Sequence, residues 1–142
     1  MTRTDRKSLV ESEPPPIKND HPAMWDLVLA DVAALHESKF EDIGADEHGI
    51  QTSALAATLV DMQDRDQMGL EKYGTRLQPF NGRDGLVDTY QEFLDACVYL
   101  RLSIHEATTT TGETPADLQG LYLNTLHSTV VLRSLIWRRD GQ

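Results

Sequence analysis

Apolar residues recur at helical spacing in four stretches of the chain, separated by polar segments rich in glycine, proline and threonine. The predicted helices span residues 22–39, 54–73, 85–106 and 115–139. Ser53 and Asp84 are the expected N-caps of the second and third helices, and Gly74 is expected to end the second. No stretch alternates apolar and polar residues as a half-buried strand does. The pattern therefore predicts an all-α, four-helix bundle-like fold that forms a dimer or a higher oligomer.

The segments between the helices are predicted to be loops. Residues 40–52 are acidic and contain two glycines, while residues 107–113 contain four consecutive threonines followed by a glycine. Thr114 is the expected cap of the fourth helix. Residues 1–20 include three consecutive prolines and show no apolar period, so they predict a flexible N-terminal arm ahead of one all-α domain at residues 21–140.

The predicted third helix carries carboxylates within an apolar pattern. Asp88, Glu92 and Asp95 lie at positions i, i+4 and i+7, so they share one face, and Tyr99 follows one turn later. The opposite side is lined by Leu86, Tyr90, Phe93, Cys97, Leu100 and Ile104. A helix that is apolar around most of its circumference is expected to be buried, with its carboxylates lining an opening or held by partners.

Two acidic pairs stand on two different predicted helices. Asp61 and Asp64 lie on the second helix, and Glu92 and Asp95 lie on the third. If these helices pack side by side, the four carboxylates converge on one cavity. Oxygen-only sites of this kind favour Mg2+ or Mn2+ over Zn2+, and such ions hold a triphosphate and activate a water. We therefore predict metal ligation by both pairs, with Asp88 as a further ligand.

The second of these pairs, with the residues that follow it, resembles a known family. Glu92-Phe93-Leu94-Asp95, followed by Tyr99-Leu100, is similar to the second half of the metal-binding pattern of the all-α NTP pyrophosphohydrolases of the MazG-like type. Asp61 and Asp64 then take the first-half positions, where that family usually has glutamate. The resemblance implies that Glu92 and Asp95 are catalytic, with Mg2+ or Mn2+ as the cofactor. It also implies hydrolysis of a (deoxy)nucleoside triphosphate to the monophosphate and pyrophosphate.

Basic and polar residues around the second helix are predicted to bind that substrate. The segment Asp64–Leu77, followed by Asn81–Asp84, also resembles phage-associated members of the group. Cationic side chains there would meet the phosphate charge that the metal leaves uncovered, and the guanidinium fork suits two phosphate oxygens. The tyrosine and the asparagine would contact the base or the sugar. The predicted substrate-binding residues are Arg65, Lys72, Tyr73, Arg76, Asn81 and Arg83.

Composition limits the partners. The formal net charge is −10 and the pI is near 4.8, so duplex nucleic acid is not an expected partner. No apolar run approaches the length of a membrane span, and residues 1–20 lack the apolar core of a secretory signal, so we expect a cytoplasmic protein that does not bind membranes. Cys97 is the single cysteine and is expected to be a small buried apolar residue.

Other interpretations of the same residues stay open. Asp61 and Asp64 would also suit a solvated helix face, and Asp61 is spaced for an ordinary i, i+4 ion pair with Arg65. The chain would then be a helical binding or regulatory module that keeps the fold without catalysis, or a structural oligomerisation unit. The substitution of aspartate at both first-half positions motivates the non-catalytic interpretation.

Overall fold

The computed structural model of the 142-residue chain describes residues 9–11, 13–35, 39–45, 48 and 51–141. This part of the chain is mostly helical and contains one small sheet. Its elements in chain order are α1 (Met24–Ala33), β1 (Asp42–Ala45), β2 (Gln51–Ser53), α2 (Ala54–Tyr73), α3 (Gly85–Thr111) and α4 (Ala116–Asp140). No helix among the described residues combines the length and the apolar character that crossing a membrane requires.

The described residues divide into two compact units. One unit runs from Pro14 to Arg83 and contains α1, the sheet and α2. The other consists of the described residues that precede Pro14 together with those from Asp84 onward, and it contains α3 and α4. The arm of residues 1–20 and the domain of residues 21–140 stay predictions, and residues 1–8 and 12 of that arm lie outside the described residues.

Both ends of α2 form as the sequence predicts. The Ser53 hydroxyl accepts a hydrogen bond from the backbone N–H of Ala56 at 3.1 Å, which satisfies one of the free donors of the first turn. Gly74 adopts a left-handed conformation with φ of 70°, and its N–H donates to the Leu70 carbonyl at 2.8 Å. The cap and the stop signal are therefore both confirmed.

The first helix is shorter than predicted. It spans Met24–Ala33 rather than residues 22–39, and Leu35 already lies outside it, while residues 36–38 are outside the described residues. No residue of α1 is fully buried. Since most helix stability in proteins comes from packing an apolar face, little burial is present to extend α1 to the predicted length.

Most of the small sheet lies in residues 40–52, which were predicted to be a loop, so that prediction is wrong there. The described residues are still mostly helical, in agreement with the predicted all-α class. Strands β1 and β2 pair antiparallel, with Asp42 opposite Ser53 and Ala45 opposite Gln51, and the register shifts between these pairs. The strands have only four and three residues, and β1 is exposed along its whole length. An exposed strand of this length leaves no alternation of apolar and polar residues to detect.

The N-terminus of α3 begins at the predicted cap. Asp84 Oδ1 accepts hydrogen bonds from the backbone N–H groups of Leu86 and Val87 at 3.1 and 3.2 Å. The same carboxylate pairs with Arg139 near the end of α4, with 2.6 Å between Arg139 Nη2 and Asp84 Oδ2. The Arg139 hydrogen bonds are the main reason that the pKa of Asp84 is lowered. This ion pair joins the start of α3 to the end of α4, so the two helices form an antiparallel hairpin.

The threonine run is helical, which makes the predicted loop at residues 107–113 wrong for its first five residues. Helix α3 continues to Thr111 and ends at Gly112, which has φ of 79°. The Thr111 hydroxyl donates to the Ala107 carbonyl at 2.8 Å, one turn earlier, so it is satisfied within the helix. Thr114 does not cap α4, because its hydroxyl lies 3.2 Å from that of Thr108 and the N-cap position is Pro115.

The core of the hairpin is small. Helix α3 packs against α4, with Ile136 and Val87 fully buried and Ile104 nearly so. The half-buried Cys97 has its Sγ 3.3 Å from the Thr129 hydroxyl. Among the described side chains of α3, only Val87 and Ile104 are buried. The expected burial around most of the helix therefore does not occur within the single chain.

Candidate functional site

Three of the predicted substrate-binding residues lie together on the last turns of α2. Arg65, Lys72 and Tyr73 line an open pocket of about 490 Å³, together with Met68, Gly69 and Glu71. Lys72 Nζ lies 5.0 Å from the centre of the Tyr73 ring, within reach of a cation–π contact. The pocket therefore offers two cations, one carboxylate, a phenol ring and an apolar Met68 side chain on one helix surface.

Asp61 and Asp64 lie earlier on α2, and both are exposed. Neither carboxylate forms a hydrogen bond or an ion pair with any residue that the structure describes, so the predicted alternative of an Asp61 pair with Arg65 is not formed. Residues three apart on a helix have Cβ atoms roughly 5–6 Å apart, so the two carboxylates share one surface.

Glu92 and Asp95 hold the corresponding positions on α3. Both are exposed, and within the described part of the chain neither has a hydrogen-bonding or ionic partner. Asp88, one turn earlier, is half-buried and makes an interaction of its own. Tyr99, one turn later, is 65% exposed, so the acidic line on α3 ends in an accessible phenol ring.

Arg76, a further predicted substrate-binding residue, is held by two carboxylates. Its Nε and Nη2 lie 2.9 and 2.6 Å from Asp66 Oδ2, and Nη2 lies 2.7 Å from Asp26 Oδ1. Asp26 stands on α1 and Asp66 on α2, so the guanidinium links the two helices. These hydrogen bonds, with that of Asp66 the largest, raise the pKa of Arg76 above its ordinary value.

Asn81 and Arg83 bind the proline-rich segment. The buried Asn81 accepts a hydrogen bond on its backbone oxygen from the Ile17 N–H at 2.7 Å, and its side-chain oxygen accepts from the Arg83 N–H at 3.0 Å. Arg83 Nη1 donates to the Pro14 carbonyl at 2.8 Å. The two residues thus fasten the chain near Pro14 to the loop that follows α2.

An aromatic residue that the sequence did not mark stands in that same loop. Phe80 has φ of 55°, a left-handed conformation that is unusual for a bulky residue, and it is 83% exposed. Its ring centre lies 4.9 Å from that of His21. Asn19 holds this turn by donating from Nδ2 to the Pro79 carbonyl at 2.7 Å. The Asn81-Gly82 turn signal was the available hint in the sequence.

The two acidic pairs supply only carboxylate oxygens, which are the ligands that Mg2+ and Mn2+ take in proteins. Their exposure and their lack of partners among the described residues leave those oxygens accessible to a cation. Within the same residues, no cluster of three or more His, Cys, Asp or Glu side chains is placed to hold a metal ion. Each pair by itself is therefore a two-carboxylate donor set on one helix.

Comparison with known family models, with curated proteins and with solved structures gives no match to this chain.

Proposed function

We propose that the chain is a metal-dependent nucleotide pyrophosphohydrolase that converts a (deoxy)nucleoside triphosphate to the monophosphate and pyrophosphate. One observation carries the proposal. The acidic pairs Asp61–Asp64 and Glu92–Asp95 are exposed and have no partners among the described residues. Within each pair the two carboxylates are spaced so that they could bind the same cation. Such a hydrolase requires carboxylates that are free to bind a metal ion, and both helices carry a pair of them.

Each group of side chains has a separate role in the proposal. The two acidic pairs would hold Mg2+ or Mn2+, which when bound would shield phosphate charge and supply an activated water. Arg65 and Lys72 bind phosphate oxygens that remain uncovered. Tyr73 contacts the base or the sugar. In the proposed reaction the water oxygen forms a bond to the α-phosphorus as the bond from that phosphorus to the α–β bridging oxygen breaks. The water gives up its proton to solvent, and pyrophosphate leaves.

The proposal includes assembly. We propose that the chain works as a homo-oligomer in which helices of different copies complete a bundle. The main support is the amount of apolar surface that the described helices leave exposed, including Tyr99 and Val98 beside the acidic line of α3.

A nucleotide panel tests the chemistry. Purified protein is incubated with each common ribo- and deoxyribonucleoside triphosphate and Mg2+, and released pyrophosphate is measured. We expect turnover of at least one nucleotide, and a loss of at least about 100-fold in kcat for Glu92→Gln and for Asp95→Asn, since each removes a charged ligand. Asp31→Asn is the control, because it neutralises an exposed acid on α1 and should keep full turnover.

Two results would sink the proposal. One is a folded protein that releases pyrophosphate from no nucleotide in the panel. The other is turnover that survives both Glu92→Gln and Asp95→Asn at the level of the Asp31→Asn control.

A second candidate is a non-catalytic nucleotide-binding or regulatory module. The observation that favours it is that Arg76 and Asn81 are engaged in hydrogen bonds within the chain, which leaves fewer groups for a substrate. Calorimetric titration with a non-hydrolysable nucleotide, with and without Mg2+, separates the two functions. The hydrolase requires metal-dependent binding, whereas metal-independent binding without turnover favours the module.

A further inference from the structure

Large apolar side chains are exposed along one side of α4. Leu123, Val130 and Trp137 are 54%, 67% and 60% exposed. They follow each other at intervals of seven residues, which is close to two helical turns, so they form a continuous stripe along the helix. Single exposed apolar residues are common on protein surfaces, but three in one row are not.

Helix α3 contributes to the same side of the hairpin. Val98 and Leu102, one turn apart, are 62% and 51% exposed. With Tyr122 of α4 they line an open groove of about 720 Å³. Leu123 follows Tyr122 by one residue, about 100° around α4. Val98 follows in the same way Cys97, which contacts α4. In an antiparallel pair these two steps lead to the same side, so the groove borders the stripe on α4. We call the set of Val98, Leu102, Leu123, Val130 and Trp137 the hairpin face.

The apolar area of the hairpin face comes close to what a stable dimer needs. A leucine or valine side chain carries roughly 100 Å² of apolar surface and a tryptophan roughly 200–250 Å², so at their exposed fractions these five side chains present about 350–380 Å². A standard interface buries about 800 Å² on each partner, of which somewhat more than half is apolar. One copy of the face thus nearly supplies the apolar share of one partner.

The charges around the groove suit a second copy of the same face. Arg101 and Glu106 both line it, and neither forms an ion pair with a described residue. A two-fold interface pairs a surface with itself, so a surface that carries both signs can match its own charges across the axis. A uniformly acidic surface, which the net charge of −10 would otherwise favour, would repel its copy.

We propose that the hairpin face binds the hairpin face of a second copy of this chain, so that two α3–α4 hairpins form one four-helix assembly. This inference rests on the oligomer part of the proposed function and names its surface. It does not depend on the proposed hydrolysis.

The test compares two leucines of equal exposure on one helix. Leu121 and Leu123 are each 54% exposed, and residues two apart on α4 point about 200° apart around the helix axis. Leu123→Arg places a charge in the hairpin face, whereas Leu121→Arg places the same charge outside it. Val130→Arg is a second variant within the face. Molar mass is measured by light scattering and sedimentation over a range of concentrations, with circular dichroism as the check on folding.

We expect the unmodified chain, of 15.9 kDa, to sediment with about twice that mass. Leu123→Arg and Val130→Arg should raise the dimer dissociation constant by at least about 100-fold, because a two-fold interface contains each substitution twice, and Leu121→Arg should change it less than about threefold. If Leu121→Arg and Leu123→Arg weaken the dimer equally, the hairpin face is not the interface, although the chain can still be a dimer. A monomeric unmodified chain would overturn the oligomer as well, and neither result depends on pyrophosphate release.

Discussion

Asp84 makes two separable contributions to the stability of the α3–α4 hairpin, and this gives a sharp prediction. Its carboxylate caps α3 through the backbone N–H groups of Leu86 and Val87, and it also pairs with Arg139. Asparagine is as good an N-cap as aspartate but carries no charge, whereas alanine can neither cap nor pair. Asp84→Asn therefore removes the ion pair alone, and Asp84→Ala removes both interactions.

The magnitudes follow from the geometry. Losing an N-cap costs about 1 kcal/mol. The ion pair is bidentate, but the Asp84 and Arg139 side chains are 27% and 42% exposed, so solvent screens it and its loss costs about 0.5–1 kcal/mol. We expect Asp84→Asn to lower the free energy of unfolding by about 0.5–1 kcal/mol and Asp84→Ala to lower it by about 1.5–2 kcal/mol.

The dependence of the ion-pair contribution on pH has a definite sign. The folded-state pKa of Asp84 is lowered from 3.8, chiefly by the hydrogen bonds from Arg139. Between the two pKa values the unfolded chain binds more protons than the folded one, so stability rises with pH in that window. The contribution of the charge is fully present above pH 3.8 and is lost as the pH falls through the folded-state pKa.

The assay is urea unfolding followed by circular dichroism, from about pH 7 down to about pH 3, for the unmodified chain and the two variants. Glu113→Gln is the control, since Glu113 is exposed and its carboxylate has no partner in the described part of the chain. The difference between the unmodified chain and Asp84→Asn should shrink at the acid end. A difference that stays constant with pH, or equal costs for Asp84→Asn and Asp84→Ala, would refute the reasoning.

Two further predictions concern the unit from Pro14 to Arg83. Gly82 has φ of 82°, and a Cβ added there would lie 3.2 Å from Ile17 Cδ1. Gly82→Ala should therefore lower the free energy of unfolding, measured by thermal unfolding, by about 1–2 kcal/mol. Gly120→Ala, in open space on α4, should stabilise by about 1 kcal/mol, and equal shifts in both variants would count against this account. Arg76→Ala should cost about 1–2 kcal/mol in urea unfolding, because it leaves the largely covered Asp66 carboxylate without its main partner, while Arg65→Ala should stay within about 0.5 kcal/mol. Similar costs for the two arginines would contradict it.

The features that the sequence predicted correctly are local ones. Ser53, Gly74 and Asp84 mark helix ends through bonds that span two to four residues, so the sequence around each position contains both partners. The threonine run was mispredicted for a related reason. Its low helix propensity is a weak signal, and hydroxyls such as that of Thr111 bond to the preceding turn instead of breaking the helix.

The parts of the candidate site that the sequence could not predict depend on contacts far apart in the chain. Helical spacing placed Asp61 with Asp64 correctly on one surface. It gave no means to tell that Arg76 would bind Asp66, ten residues earlier, and Asp26, fifty residues earlier. Which of many acids an arginine contacts is decided by tertiary packing, so a basic residue near an acidic helix is weak evidence for phosphate binding.

The apolar residues of α3 connect the fold of the hairpin with the proposed site. Its apolar residues lie on more sides than α4 alone can cover, and Val98 and Leu102 stay exposed in the single chain. The apolar pattern predicted both burial of α3 and an oligomer. That burial does not occur within the single chain, and the proposed contact with a second copy would supply it. Tyr99 follows Val98 directly and lies one turn beyond Asp95, so the acidic line borders the hairpin face. An assembly that covers this face would bring its edge beside the proposed metal ligands of α3, and the state of assembly would then influence the chemistry proposed for them.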